Sequence, residues 1–284
     1  MSKGIADTKP TASNGENEHV LRELAYKDRN FVTALARGFE LLRAFRPGDE
    51  YLGNGELSNR TGIPRPTVSR LTHTLTRLGY LRYSEQLEKY QLGVGVLALG
   101  YRYLSSVGVR DVARPYMQAL ADQTDCLVAL GTMDRNEMTY IEVCQGAGPL
   151  VLRLEVGSRI PLLDSAMGRA YLAGLSEQRR ARYLIELASA TGADLADIRG
   201  WVNRSLAYYS DHGFCMAQRE WDEDISGVAV PLVLEGGSQV MAFNCGGAAL
   251  RLDTNTLEQR LGPELIKVAQ QVRAELSGDG AHGR

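Results

Sequence analysis

Apolar residues recur at helical spacing in two stretches near the start of the chain. The first includes Val32, Leu35, Phe39, Leu42 and Phe45 and stops at Pro47-Gly48; the second includes Val68, Leu71, Leu75 and Leu78 and stops at Gly79. A period of three to four residues closed by glycine or proline predicts amphipathic helices with one buried face. The chain therefore begins its patterned part with helices over about 31–45 and 65–78.

A short helix is predicted between these two, over residues 55 to 62. It ends at Gly62, and Ile63-Pro64 cannot continue it. Two helices joined by a glycine-containing turn of three to four residues are typical of a helix-turn-helix. Residues 81–83 and 89–92 then alternate like two strands of a wing. An ordinary helix pair in a core is the alternative interpretation, which the wing makes less favoured.

Residues 94 to about 106 are apolar at helical spacing and carry several aromatic side chains. This pattern predicts a helix that connects two parts of the chain. A plain linker is one interpretation. Because an exposed apolar stripe must be covered, pairing with a second subunit is the favoured one.

Beyond residue 110 the pattern mixes helices and strands. Helices are predicted over 111–123, 177–189, 194–212 and 254–276, and strands over 126–133, 138–143, 150–154, 214–218, 226–234 and 239–245. A chain of 284 residues is long enough for two cores. The predicted fold is a two-domain α+β protein. Its parts are a disordered arm (1–30), a winged helix-turn-helix (31–93), a linker helix (94–110) and an α/β domain with an antiparallel sheet (111–278).

The overall charge of −2 hides a segregation along the chain. Residues 31–92 hold nine Lys or Arg and six Asp or Glu. No acidic side chain lies between Glu56 and Glu85, whereas five arginines do: Arg60, Arg65, Arg70, Arg77 and Arg82. A surface without carboxylates suits phosphate, so the second helix and the wing are predicted to bind DNA.

Composition excludes several other classes of protein. No apolar run approaches the roughly 18 residues of a membrane span, and residues 1–18 lack the apolar segment of a secretory signal. A cytoplasmic location is therefore expected, with the four cysteines as buried free thiols. The cysteines form no CxxC pair and the four histidines are scattered, so neither a metal nor a cofactor is expected.

Several segments resemble the IclR family of bacterial regulators, within a region of about 31–275. They are Thr33–Leu42, Thr61–Leu71, Leu78–Leu81, Tyr90–Gly93, Leu99–Leu104, Gly157–Leu162, Ala166–Ala170 and Gly227–Pro231. The resemblance is strongest to the branch that governs aromatic-acid catabolism of the β-ketoadipate type. It implies a GAF-like C-terminal domain that holds a small organic acid, and a homodimer or dimer of dimers on a pseudo-palindromic operator.

The DNA contacts are predicted on the second helix and its surroundings. Arginine can donate two hydrogen bonds to guanine, and hydroxyls serve base edges or phosphates. Base-reading candidates are Arg65, Thr67, Ser69, Arg70, Thr72 and His73, and phosphate candidates are Arg37 and Lys89.

The effector is expected where residues 160–169 begin a helix. Asp164 or Ser165 can cap that helix, and small residues let a carboxylate approach backbone N–H groups. A capped helix that merely packs closely through Gly168 and Ala170 is the alternative, and the resemblance favours the ligand. Effector candidates are Asp164, Ser165, Ala166, Met167, Asp224, Gly227, Val228, Asn244 and Cys245.

Two points remain open from the sequence. The acidic run Asp222-Glu223-Asp224 can equally be a solvated loop. Where the family often carries serine near the last strand, this chain has Asn244-Cys245, which leaves the identity of the effector open.

Other functions are weaker interpretations. Cys215 or Cys245 with His212 would be needed for nucleophilic catalysis, and Gly146–Pro149 lacks the lysine and the following helix of a phosphate loop. A ligand-binding or enzymatic GAF-like protein without operator specificity is the alternative, and an arginine-rich helix and a wing would have little use in it.

Overall fold

The computed structural model describes residues 28–146 and 154–278. Most of the arm predicted over 1–30 and most of the strand predicted over 150–154 lie outside these residues. The described chain divides into two compact units, one ending at Ser106 and the other beginning at Val107.

The N-terminal unit contains four helices and a hairpin within its described residues. They are α1 (Thr33–Arg43), α2 (Asn54–Thr61), α3 (Arg65–Arg77), β1 (Leu81–Ser84), β2 (Lys89–Leu92) and α4 (Val94–Ser106). Leu41, Leu57, Val68, Leu75 and Leu81 form its buried core with Leu52 and Ile63. These are the apolar stripes of the sequence brought together, so the predicted winged helix-turn-helix is confirmed.

One feature of the wing could not be read from the sequence. Leu52 forms an isolated antiparallel bridge with Tyr90, in which each N–H donates to the other's carbonyl at 2.8 Å. The loop before α2 is thereby fixed to the second wing strand.

The C-terminal unit is built on a six-stranded antiparallel sheet in the order β5-β4-β3-β8-β7-β6. Its strands are β3 (Leu127–Asp134), β4 (Glu137–Gln145), β5 (Arg159–Pro161), β6 (Cys215–Gln218), β7 (Ile225–Leu234) and β8 (Gln239–Ala248). The longer helices are α5 (Val109–Thr124), α6 (Ala166–Gly174), α7 (Glu177–Thr191), α8 (Leu195–His212) and α9 (Gly262–Gly278), and short helical segments over Thr254–Thr256 and Leu257–Leu261 lead into α9. The predicted antiparallel α/β domain is confirmed.

Helices cover both faces of this sheet. On one face α6, α7 and α8 pack on Ala129, Tyr140, Ala217, Ala229 and Ala242. On the other, α5 and α9 pack against each other and on the central strands. Since side chains alternate along a strand, neighbouring residues of β7 and β8 point to opposite faces. This alternation decides which predicted residues can meet a ligand.

Candidate nucleic-acid interface and ligand cleft

The position of α3 is set by the turn that precedes it. Gly62 adopts the left-handed conformation (φ 72°), and its N–H donates to the carbonyl of Ser58 at 2.9 Å, which ends α2. Pro64 then starts α3, and Val68 and Leu75 bury one face of that helix. The opposite face is left outward.

Four predicted base-reading residues are exposed on that outward face: Arg65, Ser69, Arg70 and His73. Thr67 is half-buried. The helix itself carries no acidic side chain, so two guanidinium groups and two further hydrogen-bonding side chains are presented without a competing carboxylate. This surface can dock against a nucleic-acid groove.

Thr72 is a correction to the predicted set. Its side chain is fully buried (0% exposed), because it lies four residues after Val68 and three before Leu75, on the inward stripe. Its hydroxyl lies within hydrogen-bonding distance of the carbonyl of Val68 (3.0 Å) and Oδ1 of Asn54 (3.3 Å). Thr72 therefore joins α2 to α3 and does not face outward.

Replacing Thr72 by valine is expected to cost the N-terminal unit about 1 kcal/mol, because Asn54 loses a donor within the core. Base preference is expected to stay the same at every operator position. Hydrogen exchange of α3 amides measures the stability, and selection from randomised DNA measures the preference. A changed preference in Thr72→Val at one position would restore Thr72 as a base contact.

The basic side chains that could contact phosphates differ in their burial and in their ion pairs. Lys89 forms an ion pair with Glu56 at 3.1 Å, and Arg37 is half-buried on α1. Arg60, although it lies in the acid-free stretch, is held by Asp49 and by the carbonyl of Ala44 (2.8 Å), and it lowers the pKa of Asp49 through their hydrogen bond. Arg77 and Arg82 are exposed and were not singled out as contacts from the sequence.

A second candidate site is a cleft on the α6 face of the sheet, here called the inner cleft. Residues from α6, from all six strands of the sheet and from the segments next to them line it: Leu127, Tyr140, Leu154, Ile160, Ser165, Ala166, Ala217, Trp221, Ile225, Ser226, Gly227, Asn244 and Gly246. Of the predicted effector residues, Ser165, Ala166, Gly227 and Asn244 line this cleft. Tyr140 and Trp221 give it aromatic walls.

Strand alternation and packing place three other candidates elsewhere. Cys245 lies between Asn244 and Gly246, which both line the cleft, and so points to the opposite face of the sheet. Val228 pairs directly with Cys245 across β7 and β8 and shares that face. Met167 is fully buried, with Sδ only 2.5 Å from where a Cβ on Gly131 would lie. The Met167 side chain therefore packs α6 onto β3. The side chains of Val228, Cys245 and Met167 do not line the inner cleft, which corrects the prediction that they face the ligand.

The two predicted carboxylates also lie outside the inner cleft. Asp224 is exposed in a turn, where its N–H donates to Asp222 at 2.8 Å, so the acidic run is a solvated loop. Asp164 is exposed near the start of α6, where desolvation raises its pKa and Arg169 lowers it. Neither Asp164 nor Asp224 lines the cleft, so the structure does not bring these two predicted residues together with Ser165 and Asn244.

Ser165 acts first as the cap of α6. Its Oγ accepts from the N–H of Gly168 at 3.1 Å and donates to the carbonyl of Pro161. The N–H groups of Ala166 and Met167, in the first turn, have no acceptor within the helix. A ligand anion at this end would meet those amides and the positive end of the helix dipole, while the serine hydroxyl is already engaged.

The inner cleft is small and uncharged. It leaves about 20 Å³ for the centre of a water-sized molecule, so a ring-sized ligand requires its walls to move. Leu154, Trp221, Ile225 and Asn244 are the half-buried members of its lining. Burial raises the pKa of Tyr140, so this phenol is a neutral hydrogen-bonding group.

The cysteines do not form a catalytic constellation. All four are buried and unbridged. A hydrogen bond from Cys245 lowers the pKa of Cys126, and burial raises the pKa of Cys215 to about 12. His212 is exposed and stacks on Tyr208 with ring centres 4.1 Å apart. Within residues 28–146 and 154–278, no three His, Cys, Asp or Glu side chains are grouped as metal ligands, and no helix is long and apolar enough to cross a bilayer.

Two family profiles together match most of the chain. Residues 34–85 match the IclR helix-turn-helix domain, and residues 101–274 match the C-terminal domain of bacterial transcriptional regulators of the IclR type. The second match alone spans more than half of the chain.

Whole-length relatives agree with these matches. The transcriptional regulator TsaQ1/TsaQ2 of Comamonas testosteroni is 32% identical over 89% of this chain and 92% of its own length. The Pca regulon regulatory protein of Pseudomonas putida is 30% identical over 88% of this chain and 86% of its own. A solved IclR family regulator from Brucella abortus is 44% identical, with a TM-score of 0.78 over 87% of this chain and 94% of that one. These relatives are transcription regulators and not enzymes.

Proposed function

This chain belongs to the IclR family of bacterial transcription regulators, and from that premise we propose that it binds a specific operator whose occupancy is controlled by a small organic acid. The observation that carries the proposal is the outward face of α3. Arg65, Ser69, Arg70 and His73 are exposed there on a helix without carboxylates. In a winged helix-turn-helix, such a face enters the major groove and reads base edges.

The proposal places the protein in the cytoplasm as a homodimer or a dimer of dimers on a pseudo-palindrome. The support is α4, none of whose residues is buried within its own chain. Val94 is 80% exposed and Leu97 68%, and Leu99, Tyr101 and Tyr103 are also exposed. An apolar helix of this kind is covered most simply by the same helix of a second subunit, which also sets the spacing of two half-sites.

The effector is assigned to the inner cleft, and an aromatic acid is the class that suits it. Tyr140 and Trp221 offer ring surfaces, Asn244 offers an amide, and the first turn of α6 offers backbone donors for a carboxylate. An IclR homologue from Microbacterium hydrocarbonoxydans, 20% identical to this chain, was solved with 4-hydroxybenzoate. Opening of the cleft for such a ring would change the packing of β7 and α6 and so bias the geometry of the dimer.

Fluorescence anisotropy at fixed salt tests the operator. The full chain is titrated onto DNA from the intergenic region beside its own gene, and onto a scrambled duplex, with and without benzoate and its hydroxylated derivatives. We expect a salt-sensitive preference for the intergenic DNA that one of the acids changes. Equal binding to both duplexes under every condition would favour a ligand-binding GAF-like protein without operator specificity.

The base-reading role of α3 is tested by a pair of variants. Arg70→Ala is expected to remove about 1–3 kcal/mol of binding free energy for the preferred base at one operator position, so that other bases are tolerated there. Lys89→Ala, on the wing, is expected to lower the affinity for all DNA sequences alike. It is also expected to lower the slope of log affinity against log salt concentration by about one, as the loss of one phosphate contact does. Anisotropy on single-base operator variants measures both. A uniform loss for Arg70→Ala would remove base reading from that side chain.

A further inference from the structure

A larger groove lies outside the inner cleft, between α8 and strand β6 at the edge of the sheet. We call it the outer groove, and its walls include Arg169, Trp201, Arg204, Tyr208, Gln218 and Glu220. It offers about 410 Å³ to a bound molecule, whereas the inner cleft offers about 20 Å³. The volume of the outer groove lies within the range of roughly 300–1,000 Å³ that is typical of pockets for small organic ligands.

One cation of the groove is already neutralised. Arg169 forms an ion pair with Glu220, and its Nη1 donates to the carbonyl of Met216 at 2.5 Å. Its guanidinium carbon lies 4.5 Å from the centre of the Trp201 ring. Arg169 therefore builds the wall between α6, β6 and α8, and it holds Trp201 in place by a cation–π contact.

The other cation of the groove, Arg204, has no partner among the described residues. It lies one helical turn after Trp201, on the same stripe of α8 as Tyr208, so these three side chains face the groove together. Arg204 is exposed, and its guanidinium makes no hydrogen bond or ion pair within residues 28–146 and 154–278. A planar guanidinium with free donors pairs with a carboxylate through two parallel hydrogen bonds.

We propose that the outer groove is a second small-molecule site, which binds an aryl monocarboxylate. Arg204 holds the carboxylate, and the ring lies against the indole of Trp201 and the phenol of Tyr208. Because Arg169 is already paired with Glu220, the groove offers one guanidinium to one carboxylate and no partner for a second, which selects against dicarboxylates. The groove is distinct from the effector site assigned above, because no residue lines both the groove and the inner cleft.

The two tryptophans of the chain make the two sites separately observable. Trp201 lines the outer groove and Trp221 lines the inner cleft. Full-length protein labelled with 5-fluorotryptophan therefore gives one fluorine NMR signal for each site, assigned with Trp201→Phe and Trp221→Phe. The probe is benzoate, with benzamide as its uncharged match and phthalate as the dicarboxylate.

We expect benzoate to shift the Trp201 signal in a saturable manner. Benzamide and phthalate are expected to bind the outer groove with an affinity that is about tenfold or more lower than that of benzoate. Arg204→Gln is expected to lower the affinity of the groove for benzoate by a similar factor. Arg199→Gln removes an exposed arginine of the same helix that does not line the groove, and it is expected to change nothing. Asn244→Asp, in the inner cleft, is expected to leave the Trp201 titration intact.

Three results would overturn the proposal. The first is a Trp201 signal that does not saturate at millimolar benzoate. The second is an equal loss in Arg204→Gln and Arg199→Gln, which would mean general charge attraction. The third is a Trp201 signal that depends on protein concentration without benzoate, which would make the groove an interface between copies. A shift confined to Trp221 would support the effector site in the inner cleft and reject the site in the outer groove. A shift confined to Trp201 would support the outer groove and count against the inner cleft as the site of benzoate.

Discussion

Gly168→Ala is expected to destabilise the C-terminal unit by about 3 kcal/mol or more. A Cβ at this position would lie 1.8 Å from the carbonyl oxygen of Leu162 and 2.5 Å from its carbonyl carbon. Both are backbone atoms next to the capped start of α6, so no flexible side chain can yield. The helix would have to move off the sheet, and the inner cleft would lose the end of α6 that forms one of its walls.

Tryptophan fluorescence during urea unfolding measures this effect, because Trp201 and Trp221 both belong to the C-terminal unit. Gly200→Ala in α8 is the matched control. The nearest atom there is the tip of Arg204 at 3.8 Å, so the added methyl group fits and is expected to stabilise by up to about 1 kcal/mol through helix propensity. Unfolding of Gly168→Ala at the same urea concentration as the parent would show that α6 is not packed this closely.

Glu142→Gln is expected to lower the stability of the same unit by about 2–4 kcal/mol. Glu142 on β4 is only 3% exposed, and its two oxygens bind Arg110 (2.7 Å) and Arg114, both in the first half of α5. The amide keeps the shape but removes the charge, which leaves two guanidinium groups beside a neutral partner in a partly desolvated place. The result lies at the lower end of the cost of breaking a buried ion pair, since Arg114 is more than half exposed.

Thermal unfolding followed by tryptophan fluorescence should show a melting temperature lowered by roughly 5–15 °C in Glu142→Gln. The control is Glu186→Gln, which makes the same change in an exposed pair with Arg182 at 3.1 Å on α7. That pair is expected to contribute about 0.3–0.5 kcal/mol. Equal shifts for the two variants would mean that the triad contributes no more than a surface ion pair.

The sequence by itself determined the elements and the type of DNA-binding unit. The apolar stripes of α1 and α3, the glycine that ends α2 and the alternation of the wing are local signals, because they follow from the period of a helix or strand and from backbone sterics. The strands around residues 128, 230 and 242 were predicted for the same reason. The resemblance of the motifs to the IclR family added the expectation of that family's C-terminal domain, and the family profile over residues 101–274 matches it.

Individual residues of the sites were predicted less well. Thr72 was taken as outward-facing although its spacing from Val68 and Leu75 already placed it on the inward stripe, a signal that counting helical positions would have caught. Val228 and Cys245 stand next to Gly227 and Asn244 in the sequence, but only Gly227 and Asn244 line the inner cleft. In a strand, sequence neighbours face opposite sides, so adjacency in sequence is a poor guide to a shared site.

Only the tertiary structure decided which residues meet. The bridge between Leu52 and Tyr90 and the burial of Glu142 between two arginines join segments that are 28 or more positions apart in sequence. The outer groove likewise needs Arg169 of α6 beside Trp201 of α8. Local patterns specify which face of each element is apolar, but strand register and helix packing specify which faces touch. For this protein the sequence therefore determined the kind of molecule and its elements. The pairing of those elements decided which side chains of α3 face outward, which form the inner cleft, and which stabilise the fold.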